Sequence, residues 1–248
     1  DDVLRNADRL TTYRQICAQV AREFNLIACF MSKPFMGVSA NGCHTNVSLW
    51  KGGELKSTPI GNNPLPGMDQ VFTHISGGEN MFMPDPKIDA VKPGPVGLNS
   101  IAGLLKHLPA LTCLGSPTVN SYRRLWDTGF WAPVYADWGY QNRTCSVRVS
   151  APGRVEYRSV DSSHNPYLMG AGILKAFEDG LDNKMDPGEP EKKNIYDAMK
   201  AGKEVDKLPL TLGEAIQRLD SDEVVKSALP EDMLRVFMHY KNDEWEKF

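Results

Sequence analysis

The sequence has 248 residues and lacks the spacings that mark metal-binding or disulfide-rich domains. Its five cysteines are scattered, and no two of them are separated by only two residues. The five histidines are also widely separated, so no pair has the spacing of a helical zinc site. This pattern predicts free thiols in a reducing cytoplasm and argues against a disulfide framework or a zinc centre.

Long hydrophobic runs and an excess of positive charge are missing as well. No window approaches the ~20 apolar residues that a membrane-spanning helix needs. The 28 basic and 31 acidic residues give a net charge of −3, whereas nucleic acids are bound by basic surfaces. We therefore expect neither a membrane nor a nucleic acid as partner. The length and the 41% hydrophobic content suit one large globular domain or two small ones.

Arginines are concentrated in the stretch from Asn142 to Tyr167, which reads NRTCSVRVSAPGRVEYRSVDSSHNPY. Residues 145–149 are rich in β-branched side chains, and residues 154–158 alternate between polar and apolar side chains with the period of a strand. Pro152 and Gly153 lie between these two runs and indicate a tight turn. The stretch therefore predicts a β-hairpin.

Glu156 is the one acidic residue among the four arginines of this hairpin, which are Arg143, Arg148, Arg154 and Arg158. Guanidinium groups so close together repel one another unless an anion neutralises them, and their planar fork binds phosphate or carboxylate at two points. Glu156 can pair with these arginines or hold a divalent cation through its oxygens. The pattern favours an anion-binding site over a solvated strand face with structural ion pairs.

A second polar strand face is predicted in residues 42–48, which read GCHTNVS. His44, Asn46 and Ser48 alternate with Thr45 and Val47, so the first three share one face. A single histidine on a strand is more often a structural group than a ligand. Three polar groups on one face, directly after a glycine loop, favour a functional site.

The first half of the chain is predicted to hold two helices separated by irregular segments. Apolar residues recur every three or four positions in residues 2–24 and again in residues 98–114, where Pro109 is expected to kink or interrupt the helix. The short apolar run at residues 26–31 predicts a buried strand. Residues 51–97 are rich in Gly, Pro and Asn and predict a long surface loop.

The second half is predicted to be mostly helical after an aromatic and basic loop at residues 120–134. Asn165, followed by proline, has the pattern of a helix cap. Thr211 and Asp220 are each followed three residues later by glutamate, as in a capping box. Pro230 precedes the last predicted helix.

Several segments of the chain resemble the catalytic region of the glutamine synthetase family, in the family's order and at roughly its spacing. They span nearly the whole chain, and their number makes a chance resemblance improbable. The segments are residues 29–34 (CFMSKP), 42–48 (GCHTNVS), 120–125 (NSYRRL), 132–134 (APV), 142–144 (NRT), 154–158 (RVEYR), 165–168 (NPYL) and 194–197 (NIYD).

This resemblance implies roles for individual side chains. His44 and Glu156 match ligands of a Mg²⁺ or Mn²⁺ ion. The matches to ATP-binding positions are Asn46, Ser48, Arg143, Arg148 and Arg154. The matches to glutamate-binding positions are Ala40, Gly42, Arg124 and Arg158. Arg143 and Arg124 are the implied catalytic residues, because guanidinium groups stabilise the charge on a phosphoryl group that passes from ATP to the glutamate side chain.

Departures from the family pattern bear on the second substrate. Ammonia-using members have a glutamate directly before Ala-Pro-Val, and this chain has Trp131 there. A tryptophan cannot accept a proton from ammonium, but it can pack against an alkyl group and exclude water. The pattern resembles the branch that makes γ-glutamylmethylamide from glutamate and methylamine. Two smaller departures lie in or near the predicted polar strand face of residues 42–48. Ala40 replaces a glycine, and Asn46 replaces a histidine.

The resemblance also implies the architecture. We expect an α+β fold, a glutamine synthetase-like catalytic domain in which helices flank a curved antiparallel sheet, assembled into stacked rings such as a dodecamer. Residues 1–248 are expected to be the C-terminal part of that domain. The family's N-terminal β-grasp domain and the first part of its catalytic domain, with further metal carboxylates and adenine contacts, have no counterpart here.

The expected activity is therefore an ATP-dependent ligation of L-glutamate to a small alkylamine through γ-glutamyl phosphate. Three alternatives are open: a glutamine synthetase that uses ammonia, a ligase for a polyamine or aromatic amine, and a non-catalytic paralogue that senses glutamate or a nucleotide. The retention of His44, Glu156 and the arginines argues against the last of these.

Overall fold

The computed structural model describes residues 2–59, 70–85, 87, 91–126 and 131–248. Helices account for most of its regular structure. They are α1 (Val3–Glu23), α2 (Pro95–Gly115), α3 (Val119–Trp126), α4 (Pro166–Asp182), α5 (Ile195–Lys200), α6 (Leu212–Asp220), α7 (Glu223–Lys226) and α8 (Glu231–Glu246). The strands are β1 (Thr45–Val47), β2 (Trp50–Lys51), β3 (Glu54–Pro59), β4 (Gln70–Ser76), β5 (Glu79–Asn80), β6 (Trp138–Tyr140), β7 (Val147–Ala151) and β8 (Arg154–Tyr157).

The main sheet has four strands in the order β1-β8-β7-β6. Strand β8 is antiparallel to both β1 and β7, while β6 runs parallel to β7. The sheet is therefore mainly antiparallel with one parallel edge strand, and the expected α+β class is confirmed. Two separate ribbons, β2-β5 and β3-β4, follow strand β1 in the chain.

The predicted hairpin is confirmed in β7 and β8, which are joined at Pro152 and Gly153. Gly153 has φ +78°, a conformation that glycine adopts without the steric cost of a Cβ. The register shifts between Arg148 and Ala151, so a β-bulge interrupts the pairing. Strand alternation then gives the hairpin one apolar face and one charged face.

The apolar face of the sheet packs against a layer of helices centred on α2. Val147, Val155 and Tyr157 of the hairpin have no exposed surface and belong to the same core cluster as the apolar side chains of α2, α4 and α6. The backbones of α2 and α4 touch, because a Cβ on Gly103 would lie 2.0 Å from the carbonyl oxygen of Ala176. The helices thus support the hairpin from behind and leave its charged face open.

Several predictions about helices are confirmed. Helix α1 follows the predicted period, and Asp2 caps it by accepting a hydrogen bond from the backbone N–H of Arg5. Asn165 caps α4, and Pro230 precedes α8 as expected. Thr211 caps α6 by accepting from the N–H of Glu214.

Other predictions about local structure are wrong. Residues 26–31 form no strand, and Ile27 is 93% exposed, because no neighbouring strand pairs with this apolar run. Of the two effects expected of Pro109, an interruption is excluded, because helix α2 continues through it. Asp222, rather than Asp220, caps α7. Residues 119–126 form a helix instead of a loop, with four buried side chains that supply its packing.

The predicted irregular segment at residues 51–97 is only partly irregular. Strands β3, β4 and β5 lie within it, so the Gly- and Pro-rich composition hid short ribbons. Residues 60–69 and 127–130 lie outside the described part of the chain. Among the described helices, none has both the length and the apolar character that crossing a bilayer requires.

Candidate active site

The charged face of the hairpin forms one wall of a pocket of about 350 Å³. The loop before strand β1 supplies a second wall, while α3 and the segment after residue 130 supply a third. The side chains and backbone that line the pocket are those of Ala40, Asn41, Gly42, His44, Arg124, Trp131, Ala132, Arg143, Arg148, Glu156 and Arg158.

Glu156 is the centre of the charged network. Its Oε2 accepts a hydrogen bond from Arg148 Nη1 at 2.7 Å, and its Oε1 accepts one from Arg158 Nη1 at 3.0 Å. His44 Nδ1 lies 3.1 Å from Glu156 Oε1 and 3.3 Å from Arg158 Nη1. Because Nδ1 either carries a proton or accepts one, it bonds to only one of these two groups at a time.

The carboxyl group of Glu156 is held ionised by these neighbours. Burial disfavours its charged form, but the hydrogen bond with His44 and the positive charges of Arg158 and Arg148 outweigh burial. They lower its pKa from 4.5 to about 2. Glu156 therefore carries a full negative charge over the whole physiological range, as a metal ligand or a partner for guanidinium groups requires.

The positive charge of the pocket exceeds what Glu156 can neutralise. Burial and the neighbouring Arg158 lower the pKa of Arg124, and burial together with Arg148 and Arg143 lowers the pKa of Arg158, while both remain charged. Among the described residues, buried donors on Arg124, Arg148 and Arg158 have no hydrogen-bond partner. This uncompensated charge makes the pocket a receptor for anionic groups.

The pocket leaves no room for a side chain at Gly42. A Cβ at this position would lie 2.9 Å from His44 Nε2 and 3.4 Å from Arg124 Nη2. Both groups belong to the pocket. Gly42 therefore allows an imidazole and a guanidinium group to approach the same stretch of backbone.

Gly42→Ala is expected to lower activity about tenfold or more, because the added methyl group displaces the His44 ring by a few tenths of an ångström. The ring is the far end of a side chain, so we expect the thermal midpoint to fall by less than about 3 °C. Steady-state kinetics and thermal unfolding of the purified variant test this. Unchanged kcat/KM would show that the position of His44 does not matter.

Trp131 and Ala132 form the edge of the pocket that faces the hairpin. Trp131 has φ +62°, a conformation that costs a side-chain-bearing residue about 1–2 kcal/mol. Its side chain is 56% exposed, and its carbonyl oxygen accepts a hydrogen bond from Arg158 Nη2 at 3.3 Å. The segment is thus tied to the same arginine that binds Glu156.

The structure brings most of the sequence-predicted residues together, with three exceptions. Ala40, Gly42, Arg124 and Trp131 line the pocket with His44, Glu156 and three of the four hairpin arginines. Arg154 lies aside, donating to Ser150 Oγ at 3.0 Å, and the same hydroxyl group lies 3.4 Å from Asn46 Oδ1. Ser48 accepts a hydrogen bond from Trp50 Nε1. Asn46 and Arg154 therefore meet at the Ser150 hydroxyl group outside the pocket lining, while Ser48 pairs with Trp50.

Sequence reasoning missed three residues that hold the site in place. The Asn41 amide binds two other segments: its Oδ1 accepts from Ser162 N–H, and its Nδ2 donates to the carbonyl oxygens of Phe30 and Met31. Gln141 Oε1 accepts from Arg148 Nη2 at 2.6 Å. Tyr196 donates to Ala132. Tyr196 lies in the family-like segment at residues 194–197, but no local signal in the sequence marked its bond to Ala132 or the roles of Asn41 and Gln141.

His44 and Glu156 supply a nitrogen and an ionised carboxylate within 3.1 Å of each other. These are donor types that Mg²⁺ or Mn²⁺ accepts, so the pair fits a divalent cation as two of its ligands. The described part of the chain holds no cluster of three or more such ligands. A complete coordination shell would need further donors, such as water or substrate phosphate oxygens.

The mixed α+β fold carries an arginine-lined pocket on the charged face of its sheet. A family model described as "Glutamine synthetase, catalytic domain" matches residues 1–85 and 70–248. The chain belongs to the glutamine synthetase family.

Two kinds of relatives are similar to the chain over its whole length. The glutamine synthetase of Pyrococcus furiosus is 37% identical over 255 residues, covering 100% of this chain and 51% of the relative. A solved structure described as "GmaS/ADP complex-Conformation 1" superposes with a TM-score of 0.83 at 33% identity, covering 100% of this chain and 52% of that one. "Apo GmaS without ligand" superposes with a TM-score of 0.81, also at 33% identity, covering 99% and 51%. The chain spans about half the length of the relatives it matches.

Proposed function

We propose that this chain is the C-terminal part of the catalytic domain of an ATP-dependent ligase that joins the γ-carboxylate of L-glutamate to methylamine or another small alkylamine. The observation that carries the proposal is Trp131 in the wall of an anion-binding pocket. The structural neighbours named GmaS, γ-glutamylmethylamide synthetase, support the same reading. The complete enzyme would act in the cytoplasm as a homo-oligomer.

The pocket suits a reaction in two steps. In the first, an oxygen of the glutamate γ-carboxylate attacks the γ-phosphorus of ATP, the bond to the bridging oxygen breaks, and ADP leaves. In the second, the neutral amine attacks the γ-carbonyl carbon, phosphate leaves with the electron pair of the C–O bond, and the nitrogen gives up one proton, which the departing phosphate can accept. Arg143 and Arg124 face the pocket and would stabilise the negative charge on the transferred group.

The remaining contacts with glutamate and ATP are assigned from the positions of the residues in and beside the pocket. Arg158 and Arg124, with the backbone at Ala40 and Gly42, would hold the glutamate, because both arginines are buried and have unused donors. Arg148 would bind nucleotide phosphates from the hairpin side, with Arg154, Asn46 and Ser48 beside it. A cation on His44 and Glu156 would supply further positive charge at the phosphates when bound.

Trp131 is the feature that separates an alkylamine from ammonia. Its indole is half exposed at the pocket edge and offers an apolar surface to a methyl group, without a carboxylate that could take a proton from ammonium. The curated relatives named glutamine synthetase favour ammonia as the competing acceptor. The two substrates differ by one methyl group, which an apolar contact distinguishes by ~1–3 kcal/mol.

The test is phosphate release from ATP by the full-length enzyme with glutamate and Mg²⁺, comparing methylamine with ammonia across concentrations. We expect kcat/KM to favour methylamine about tenfold or more. Trp131→Glu is expected to reverse the preference, because the new carboxylate attracts ammonium and removes the apolar contact. Trp126→Glu is a suitable control, since Trp126 lies outside the pocket lining and is similarly exposed.

The possible outcomes separate the candidate functions. A preference for ammonia in the wild-type enzyme would make it a glutamine synthetase that handles ammonium without a glutamate at this position. A preference for a longer or aromatic amine would retain the ligase activity and change its acceptor. Binding of glutamate or nucleotide without phosphate release with any amine would indicate a sensor.

A further inference from the structure

Two successive carbonyl groups at the pocket edge are held by side chains from different parts of the chain. The carbonyl oxygen of Trp131 accepts from Arg158 Nη2 at 3.3 Å. The carbonyl oxygen of Ala132 accepts from the hydroxyl group of Tyr196 at 2.6 Å. Arg158 belongs to the site already described. Tyr196 lies on α5, 64 residues after Ala132 in the chain.

These hydrogen bonds oppose a backbone that would otherwise relax. The φ angle of +62° at Trp131 is unfavourable for a residue with a Cβ, so surrounding contacts must hold it. The Tyr196 bond is the shorter of the two and acts on the Ala132–Pro133 peptide, one residue beyond Trp131. Losing it would leave Arg158 as the one side chain in the described structure that donates to a carbonyl group of this pair.

Tyr196 is itself rigidly placed. Asn194 caps α5 by accepting from the backbone N–H of Tyr196, and the N–H of the buried Ile195 donates to Thr144 Oγ1 at 3.0 Å. The Tyr196 ring packs edge-on against Tyr135, with ring centroids 6.2 Å apart. Thr144 directly follows Arg143, which lines the pocket. The start of α5 is therefore bound to the segment that carries Arg143, and Tyr196 on the same helix is bound to Ala132 at the pocket edge.

The hydroxyl group of Tyr196 is suited to donate this bond at any ordinary pH. Burial and the neighbouring Tyr135 raise its pKa above the usual value of 10, and the nearby Arg124 and Arg158 only partly offset them. The group therefore keeps its proton. A phenol that keeps its proton is a permanent donor to a carbonyl oxygen.

We propose that Tyr196 is a positioning residue for the amine substrate: its hydroxyl group fixes the Ala132–Pro133 peptide, next to Trp131, so that the indole of Trp131 forms the acceptor side of the pocket. Tyr196 acts through Trp131, lies outside the pocket lining and need not touch substrate. This inference rests on the proposed function, and it adds the element that sets the geometry of the specificity residue.

Tyr196→Phe removes only the hydroxyl group and keeps the ring that packs on Tyr135. We expect amide hydrogen exchange in a peptide covering residues 131–136 to accelerate about fivefold, as the loss of one hydrogen bond predicts. In the full-length enzyme, KM for methylamine should rise by a similar factor, and the preference for methylamine over ammonia should shrink. KM for ATP should stay within about twofold, because the ATP-side residues do not contact Tyr196.

Tyr135→Phe is the matched control. It removes a hydroxyl group from the ring that packs against Tyr196 and leaves the bond to Ala132 in place. We expect its exchange rates and its methylamine KM to match those of the wild type. Equal changes in both variants would show a general loosening of the aromatic pair and overturn the proposal.

The two readouts distinguish failure of this inference from failure of the proposed function. If the wild-type enzyme does not use methylamine, the proposed function fails, while faster exchange in Tyr196→Phe would still support the hydrogen bond as a restraint on the segment. Unchanged exchange, or faster exchange with an unchanged KM and amine preference, would show that Tyr196 does not position Trp131 for the amine.

Discussion

Glu156→Gln is expected to lower phosphate release at least about a hundredfold and to lower the thermal midpoint by about 6–12 °C. The glutamine is nearly isosteric, but it removes the one negative charge that faces Arg148 and Arg158. Removing one partner of a buried ion pair costs ~3–5 kcal/mol, because the remaining charge is left uncompensated. In a domain of this size, ~3 kcal/mol corresponds to that shift of the midpoint.

The same carboxylate predicts how stability depends on acidity. Its pKa falls from 4.5 in the unfolded chain to about 2 in the folded one, so its contribution is fully present above about pH 4.5. The contribution disappears as the pH falls toward 2, and a shift of this size corresponds to ~3 kcal/mol. Thermal unfolding between pH 2 and pH 6 should therefore show a steeper acid loss for the wild type than for Glu156→Gln.

Glu178→Gln provides the control. Glu178 pairs with Lys175 on the exposed surface of α4, and exposed pairs contribute only ~0–1 kcal/mol. We expect its activity and midpoint to match the wild type. If Glu156→Gln also kept its activity, Glu156 would be neither a metal ligand nor a necessary counter-ion, and the functional interpretation of the pocket would be wrong.

His107→Leu is expected to destabilise the protein by a similar amount without touching the pocket. His107 lies on α2 and is only 3% exposed. Its Nδ1 is 2.7 Å from Asp222 Oδ2, and its Nε2 is 2.8 Å from Asp179 Oδ2. Both ring nitrogens must donate to satisfy two carboxylates, so the ring is an imidazolium. Its loss leaves Asp222 without this charge and Asp179 with Lys106 alone as cationic partner.

The contribution of His107 to stability depends on pH with the opposite sign to that of Glu156. Burial lowers the pKa of His107, but the hydrogen bonds and charges of Asp222 and Asp179 outweigh burial and raise it above 6.5. Its contribution is therefore complete below pH 6.5 and is lost as the pH rises through the folded-state value. Wild-type thermal stability should fall in mildly alkaline buffer, and this component should be absent from His107→Leu.

His239→Leu serves as control because His239 is exposed on α8. Its midpoint should follow the wild type at every pH. Equal pH profiles for wild type and His107→Leu would show that His107 is neutral in the folded protein, and that the two carboxylates are satisfied in another way.

The parts of the fold that were predictable from sequence are those set by local patterns. Strand alternation and the Pro-Gly turn determine the β7-β8 hairpin, and capping residues mark the starts of α4 and α6. Residues 26–31 misled the prediction because an apolar run does not reveal whether a partner strand exists. Helix α3 was missed because its aromatic and basic residues were assigned to a surface loop.

The candidate site was predictable to the extent that its residues lie in recognisable segments. His44, Glu156 and the pocket arginines were found in this way, and the structure places them around one cavity. Asn41, Gln141 and the contact made by Tyr196 were not found, because each acts through a hydrogen bond whose partner is set by tertiary packing. Tertiary packing also explains why Arg154 is absent from the pocket lining. Strand alternation places it on the charged face, but its side chain donates a hydrogen bond to Ser150 instead.

The contact between α2 and α4 leaves no play in the support beneath the hairpin. A Cβ on Gly180 would lie 2.2 Å from the carbonyl oxygen of Asn99, as close as the contact at Gly103, so the two backbones meet at both points with no side chain between them. Such a seam cannot slide or widen in small increments. The support beneath the hairpin is therefore fixed. If the proposed ligase is redesigned toward other amines, the changes have to begin at Trp131 and at the tyrosine that binds the carbonyl group of its neighbour.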